Sequence, residues 1–183
     1  MRVIAGKYKS IKLNSVEGMN TRPTTDKIKE NLFNMLTCEG RVLDLFGGTG
    51  GLGIESLSRG ASHVTFIDGS NNAIKVIRSN IKKCKIPKSD YDVYRNDFKR
   101  ALQILGKKEE KFDLIFLDPP YDKGLINQAI SSILENNVCS DGCLIVCEKS
   151  VDEVVESKFE KLELVKEKKY GITNIIIFKY MEN

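Results

Sequence analysis

The sequence has few of the residues that usually hold metal ions. It contains one histidine and five cysteines, and Cys139, Cys143 and Cys147 are spaced four apart, which matches neither the C-x-x-C pairs of zinc sites nor other familiar ligand spacings. Free cysteine packs as a small hydrophobic residue, so we expect these thiols to be buried. The sequence therefore predicts a protein without a metal site.

Long apolar runs and a secretory signal are also missing. The longest apolar runs, LIVC (144–147) and IIIF (175–178), are far too short to span a bilayer. An odd number of cysteines without a secretory signal indicates a reducing compartment. We therefore expect a cytoplasmic protein with no membrane partner.

Acidic residues are absent from the first stretch of the chain. Met1 to Val16 contains none, whereas the net charge of the whole chain is only +4. No repeat or linker divides the 183 residues, so we expect a single domain over residues 1–183, with residues 1–20 as a basic N-terminal β extension. A basic extension favours a polyanionic partner, and its cationic residues are Arg2, Lys7, Lys9 and Lys12.

Strand and helix patterns alternate along the rest of the chain. Thr25 can cap a first helix, and apolar strands are predicted at residues 41–46, 63–68, 91–97, 112–118 and 143–148, with helices between them. A short helix near residues 151–159 and two strands around Gly171 follow. This alternation predicts a doubly wound α/β sheet, in which ligands bind beyond the carboxyl ends of the strands.

A glycine-rich loop follows the first strand. The stretch LDLFGGTGGLGIE contains G-x-G-x-x-G at Gly48, Gly50 and Gly53, the spacing of a dinucleotide-binding turn. Glycines let the backbone come close to a ligand, whatever the ligand is. The loop alone leaves open whether the ligand is a nicotinamide or flavin cofactor or another adenosyl compound.

Carboxylates end the first three strands. Asp68 can accept both hydroxyls of a ribose, unless it is only a turn residue. Asp44 suits a cationic group, such as the ammonium or sulfonium of S-adenosylmethionine, and would be an awkward neighbour for a pyrophosphate. Asp97 can accept the amine of adenine while Phe98 packs on the ring, or it can be a plain helix N-cap.

The fourth strand ends in DPPY, Asp118 to Tyr121. Two prolines lack N–H donors, which leaves the Asp118 carboxylate and the Pro119 carbonyl as a rigid row of acceptors. Such a row can hold the exocyclic amine of a nucleobase, and Tyr121 offers a face for stacking. A Pro-Pro pair by itself often only ends a strand.

Several motifs together resemble a known family. DLFGGTGGLGIESLSRGA (44–61) and LDPPY (117–121) are similar to the cofactor and catalytic motifs of Rossmann-fold amino methyltransferases. RVIAGKYKSIKL (2–13) with NTRPTTDKIKENLFNML (20–36) narrows the resemblance to the RsmD-type guanine-N2 methyltransferases of bacterial small-subunit (16S) ribosomal RNA. It runs from about Arg2 to Tyr180, although Asp68 stands where relatives tend to have Glu and Gly48 where they commonly have Ala.

The resemblance implies an activity and a fold. S-adenosylmethionine would be the cofactor, and the substrate would be a guanine of small-subunit ribosomal RNA or of a partly assembled small ribosomal subunit. The expected fold is the Rossmann-like class I methyltransferase fold, a mostly parallel seven-stranded sheet that ends in an antiparallel hairpin. The residues expected to act are, for catalysis, Asp118, Pro119, Pro120 and Tyr121; for the cofactor, Asp44, Phe46, Gly47, Gly48, Gly50, Asp68, Asp97 and Phe98; and for RNA, Arg2, Lys7, Lys9, Lys12 and Arg22.

Two alternatives remain at the level of the sequence. DPPY is shared with DNA adenine and cytosine amino methyltransferases, although no stretch here is long enough to be a separate target-recognition region. An NAD-binding oxidoreductase would use the same glycines and Asp68 but gives no role to Asp44 or DPPY. Arg22 could contact the cofactor carboxylate instead of RNA.

Overall fold

The computed structural model describes residues 1–17, 26–120 and 124–183. Within them the strands are β1 (Arg41–Asp44), β2 (His63–Asp68), β3 (Tyr91–Arg95), β4 (Phe112–Leu117), β5 (Cys139–Ser150), β6 (Leu162–Tyr170) and β7 (Thr173–Tyr180). They form one seven-stranded sheet of order β3-β2-β1-β4-β5-β7-β6. The pairs among β1 to β5 are parallel, and β7 is antiparallel to both of its neighbours. The predicted mostly parallel sheet with a final antiparallel hairpin is confirmed.

Helices cover both faces of this sheet. They are α1 (Asp26–Asn34), α2 (Gly51–Ser58), α3 (Asn71–Lys83), α4 (Phe98–Lys107) and α5 (Leu125–Glu135), with a short 3₁₀ turn at Lys88–Asp90. Successive strand residues point to opposite faces, so Phe66 packs in the core under α1 to α3, whereas Ile67 packs in the core under α4 and α5. The predicted Thr25 cap of α1 lies outside the described residues.

The first segment of the chain, residues 1–17, folds back on itself and onto α2. Arg2 and Lys12 form a single antiparallel bridge. Gly6 has a φ of +84°, and a Cβ there would lie 1.9 Å from the carbonyl oxygen of Ser58. The Glu55 carboxylate accepts the backbone N–H groups of residues 4 and 5 at 2.9 and 3.2 Å. The basic β extension over residues 1–20, as one part of a single domain, stays a prediction.

The predicted helix near residues 151–159 is wrong. Backbone groups in this stretch form hydrogen bonds with other parts of the chain. The side-chain amide of Asn127 donates to the Val154 carbonyl, and the Asn127 side-chain oxygen accepts the Glu156 N–H. The Val151 N–H donates to the Ile172 carbonyl. These contacts with α5 and the final hairpin replace the hydrogen bonds that a helix would need.

Two expectations from composition can be compared with this structure. All five cysteines are free and buried, which confirms the predicted burial of the thiols. Among the helices of the described residues, none is long and apolar enough to cross a membrane. The cytoplasmic location stays a prediction.

The contact between α2 and the sheet gives a first test. A Cβ at Gly53 would lie 2.3 Å from Phe66 Cε1 and 2.9 Å from Val64 Cγ1, both in the core. Gly53→Ala should therefore lower the free energy of unfolding by about 1–3 kcal/mol in urea denaturation. Gly51→Ala is the control, because its Cβ meets the flexible Met1 side chain instead. Equal stability of the two variants would contradict this packing.

Candidate active site

A cavity of about 400 Å³ opens at the carboxyl ends of β1, β2 and β4. Loops that follow neighbouring parallel strands meet at one edge of a sheet, which brings together residues that are distant in sequence. Most of the residues predicted for the cofactor and for catalysis line this cavity, namely Asp44, Phe46, Gly47, Gly48, Asp68, Asp97, Phe98, Asp118 and Pro120.

Asp68 holds the glycine loop and the start of α3 at the same time. Its Oδ2 accepts the Gly48 N–H at 2.9 Å, and its Oδ1 accepts the Ser70 N–H at 2.8 Å. Ser70 in turn caps α3 by accepting the Ala73 N–H. The carboxylate is half-buried and still faces the cavity, and each of its oxygens has a further lone pair for a hydroxyl donor.

The carboxyl group of Asp44 is almost completely buried. It is 2 % exposed, and its Oδ2 accepts the Gly53 N–H at 3.1 Å. Burial raises the pKa of Asp44 to about 7, the Gly53 hydrogen bond opposes this, and the charge of Asp68 adds to it. A cationic group in the cavity would favour the ionised form of Asp44.

Asp118 directly follows β4 and lies near two further carboxyl groups, those of Glu148 and Asp44. The register of β4 and β5 pairs Leu117 with Cys147, so Glu148, which is buried, comes next to Asp118. Burial raises the pKa of Asp118 well above its ordinary value, and the nearby charges of Glu148 and Asp44 raise it further. A positive charge in the cavity would favour the ionised form of Asp118.

Two aromatic rings form an apolar part of the cavity wall. Phe46 and Phe98 lie with their centroids 5.2 Å apart and their planes tilted by 49°. Asp97 caps α4, because its Oδ2 accepts the Arg100 N–H at 3.1 Å. The plain N-cap role considered for Asp97 is thus present, and its contact with adenine stays a prediction.

The remaining predicted residues either do not line the cavity or lie outside the described residues. Gly50 and Pro119 are buried and do not line it. Tyr121 and Arg22 lie outside the described residues. The basic residues of the first segment are exposed and do not line the cavity either; Arg2 pairs with Asp26 at 3.5 Å, and the others are Lys7, Lys9 and Lys12.

The structure adds cavity residues that the sequence analysis missed. Met1, Ser15 and Val16 of the first segment line the cavity, as does Thr49 of the glycine loop. Thr49 lies inside the glycine-rich motif, whereas periodicity and motif spacing carry no signal for Met1, Ser15 and Val16, because their contacts join parts of the chain that are far apart in sequence. The segment expected to serve RNA alone is also a wall of the candidate cofactor site.

Comparison with known proteins places the chain in a family. Residues 1–179 match the family model described as "Conserved hypothetical protein 95". The chain is 34 % identical to ribosomal RNA small subunit methyltransferase D of Haemophilus influenzae, over 98 % of this chain and 93 % of the relative. It is 30 % identical to the protein of that name from Escherichia coli K12, over 93 % and 85 %.

The chain belongs to the RsmD-type family of small-subunit ribosomal RNA methyltransferases. The Escherichia coli protein yhhF has a similar structure, with a TM-score of 0.85 and 29 % identity over 100 % of this chain and 99 % of that one. The predicted family and the Rossmann-like class I methyltransferase fold are confirmed. Membership of this family removes the NAD-binding oxidoreductase as an alternative.

The buried carboxyl group of Asp44 makes stability depend on pH. Between its ordinary pKa of 3.8 and about 7, the folded protein keeps a proton that the unfolded chain has released, so this group lowers stability as pH rises. The stability of the wild type relative to Asp44→Asn should therefore fall through that range, by at most about 1.4 kcal/mol per pH unit, and level off above it.

Urea denaturation of both proteins at several pH values between about 5 and 8 measures this difference. Asp152→Asn, at an exposed position, is the control and should follow the wild type at every pH. A difference between the wild type and Asp44→Asn that does not change with pH would show that Asp44 has no raised pKa.

Proposed function

We propose that the protein transfers a methyl group from S-adenosylmethionine to the exocyclic N2 of a guanine in small-subunit ribosomal RNA. S-adenosylmethionine is the cofactor, as predicted: similar structures include methyltransferases, one of which carries S-adenosylhomocysteine, and the relatives are named as methyltransferases of small-subunit ribosomal RNA. The observation that carries the N2 proposal is the position of Asp118 and Pro120 in the wall of a cavity that Asp44 and Asp68 share.

The chemistry of the cavity fits this cofactor. Asp44 and Asp118 are carboxyl groups with raised pKa values, and a group that carries an ammonium and a sulfonium would relieve their mutual repulsion. Asp68 would accept the ribose hydroxyls, and the rings of Phe46 and Phe98 would border the adenine. A pyrophosphate would instead add negative charge to this set.

The cofactor supplies a methyl group bound to a positively charged sulfur. The guanine amine is a weak nucleophile because its lone pair is delocalised into the ring. Asp118, in the cavity wall, would accept a hydrogen of this amine and draw it toward tetrahedral geometry. Pro119 does not line the cavity, so the role of its carbonyl as a second acceptor stays a prediction. Holding the two reactants in line can contribute about 7–11 kcal/mol, and fixed acceptors add electrostatic stabilisation.

The raised pKa of Asp118 suits its second task. The methylated amine carries an extra proton, which has to leave. A carboxylate whose pKa burial and neighbouring charges have raised holds that proton more readily than an exposed aspartate would. Asp118 would therefore orient the amine first and take the proton afterwards.

Phosphate contacts would hold the RNA while the target base leaves its stack. Unstacking and turning a base into a pocket costs a few kcal/mol. Lys7, Lys9 and Lys12 are exposed on the segment that also lines the cavity, where they can bind the flanking phosphates and offset this cost. Arg2 and Arg22 are proposed for the same role.

The substrate test uses cofactor labelled on its methyl group. Naked small-subunit ribosomal RNA, small subunits isolated without the modification, and DNA are offered separately, and the labelled nucleoside is identified after digestion. We expect N2-methylguanosine from the ribosomal substrates alone. Label in DNA, or on another atom of the base, would contradict the proposal.

Removal of the acceptor at the end of β4 should separate chemistry from binding. Asp118→Ala should lower the rate of methyl transfer by about 10²–10⁴-fold, while S-adenosylhomocysteine binds almost as well in calorimetry. Asp68→Ala is the reciprocal control, since we expect it to weaken cofactor binding. Unchanged turnover in Asp118→Ala would rule out its catalytic role.

The basic residues of the first segment should determine RNA binding. Replacing Lys7, Lys9 and Lys12 by alanine should weaken RNA binding and reduce the salt dependence by about one unit of slope for each phosphate that the variant no longer binds. The matched control replaces three other lysines at the amino-terminal edge of the sheet, Lys107, Lys108 and Lys111, all exposed. Equal losses in the two triple variants, measured by filter binding over a salt series, would assign the effect to net charge alone.

A further inference from the structure

One buried side chain joins the first segment to the glycine loop. Asn80 lies in α3 and is 0 % exposed. Its side-chain oxygen accepts the Asn14 N–H at 2.7 Å, and its amide nitrogen donates to the Asn14 carbonyl at 3.1 Å and to the Thr49 carbonyl at 2.8 Å. Three of its hydrogen bonds therefore reach backbone atoms of two separate stretches of chain.

Both stretches are walls of the candidate cofactor site. Thr49 lines the cavity within the glycine loop, and the residues directly after Asn14, Ser15 and Val16, line it from the first segment. Asn80 itself does not line the cavity. Asn80 would affect the cavity indirectly, through the two stretches of the cavity wall to which it is hydrogen-bonded.

An asparagine is required for this set of bonds. One acceptor and two donors must lie at the end of a short side chain. Aspartate has the same length but offers no donor to the two carbonyls, and alanine leaves the part-buried backbone groups of Asn14 and Thr49 without this partner. A polar group that loses its partner where water has limited access is costly, so the walls would move to find other partners.

We propose that Asn80 is a positioning residue. It couples the position of residues 1–17 to the position of the glycine loop, so that cofactor affinity depends on the first segment. This inference rests on the proposed placement of S-adenosylmethionine in the cavity. Coupling between two elements is reciprocal. Cofactor binding should therefore also hold the end of the segment more firmly in place.

Calorimetry with S-adenosylhomocysteine tests the affinity, at a temperature where each variant is fully folded. Asn80→Ala should weaken binding about tenfold. Asn14→Ala is the matched control: it removes the side-chain contacts with Ser79 and Lys83 but keeps both backbone bonds to Asn80, so its affinity should stay within about twofold of the wild type. Wild-type affinity in folded Asn80→Ala would overturn the inference.

Hydrogen exchange on the unsubstituted protein provides a second measurement, which also decides the matter if Asn80→Ala does not fold. S-adenosylhomocysteine should slow the exchange of the Leu13 and Asn14 amides together with those of the glycine loop. A purely structural asparagine predicts protection of the loop without any change at Leu13 and Asn14, and that result would also overturn the inference.

The Asp68→Ala variant separates this inference from the proposed function. If its affinity for S-adenosylhomocysteine equals that of the wild type, the cofactor does not bind in this cavity, and both proposals fail. If Asp68→Ala weakens binding while folded Asn80→Ala does not, the cofactor site stands and only the coupling through Asn80 is wrong.

Discussion

The carboxylate of Glu55, fully buried in α2, accepts two backbone N–H groups of the first segment and pairs with Lys29 of α1 at 3.2 Å and with Arg59 at 2.8 Å. A buried charge that loses its partners costs several kcal/mol. This carboxylate is therefore tolerated only while the first segment and α1 are in place. The shape of the cavity depends on it, because the segment that Glu55 holds forms one wall.

Another part of the cavity wall is acidic. Asp44 and Asp118 line it, the buried Glu148 comes next to Asp118, and burial together with neighbouring carboxylate charges raises the pKa values of the two aspartates. A cavity wall of this kind favours a positively charged ligand. Removal of the sulfonium charge after methyl transfer would weaken that attraction and favour release of the product.

The first segment, residues 1–17, contributes to two surfaces of the protein. Its outer side carries exposed lysines and its inner side lines the cavity, so a ligand on either side acts on the same backbone. Because such coupling is reciprocal, RNA bound to the lysines would favour the seated segment and thereby the cofactor. A methyltransferase built in this way would bind its cofactor best when its substrate is already present.

The sheet, the glycine loop and the acidic residues at the strand ends could be predicted from the sequence alone, because alternation and loop motifs depend on neighbours a few residues away. The hydrogen bonds of Glu55 and Asn80 with the first segment become visible only in the folded protein, because they join positions 50 to 66 residues apart. The absence of a helix near residues 151–159 has the same cause, because the Asn127 side chain of α5 forms hydrogen bonds with the backbone of this stretch. Contacts at such separations leave no periodic pattern in the sequence, because they depend on how the helices and the sheet pack in the folded protein.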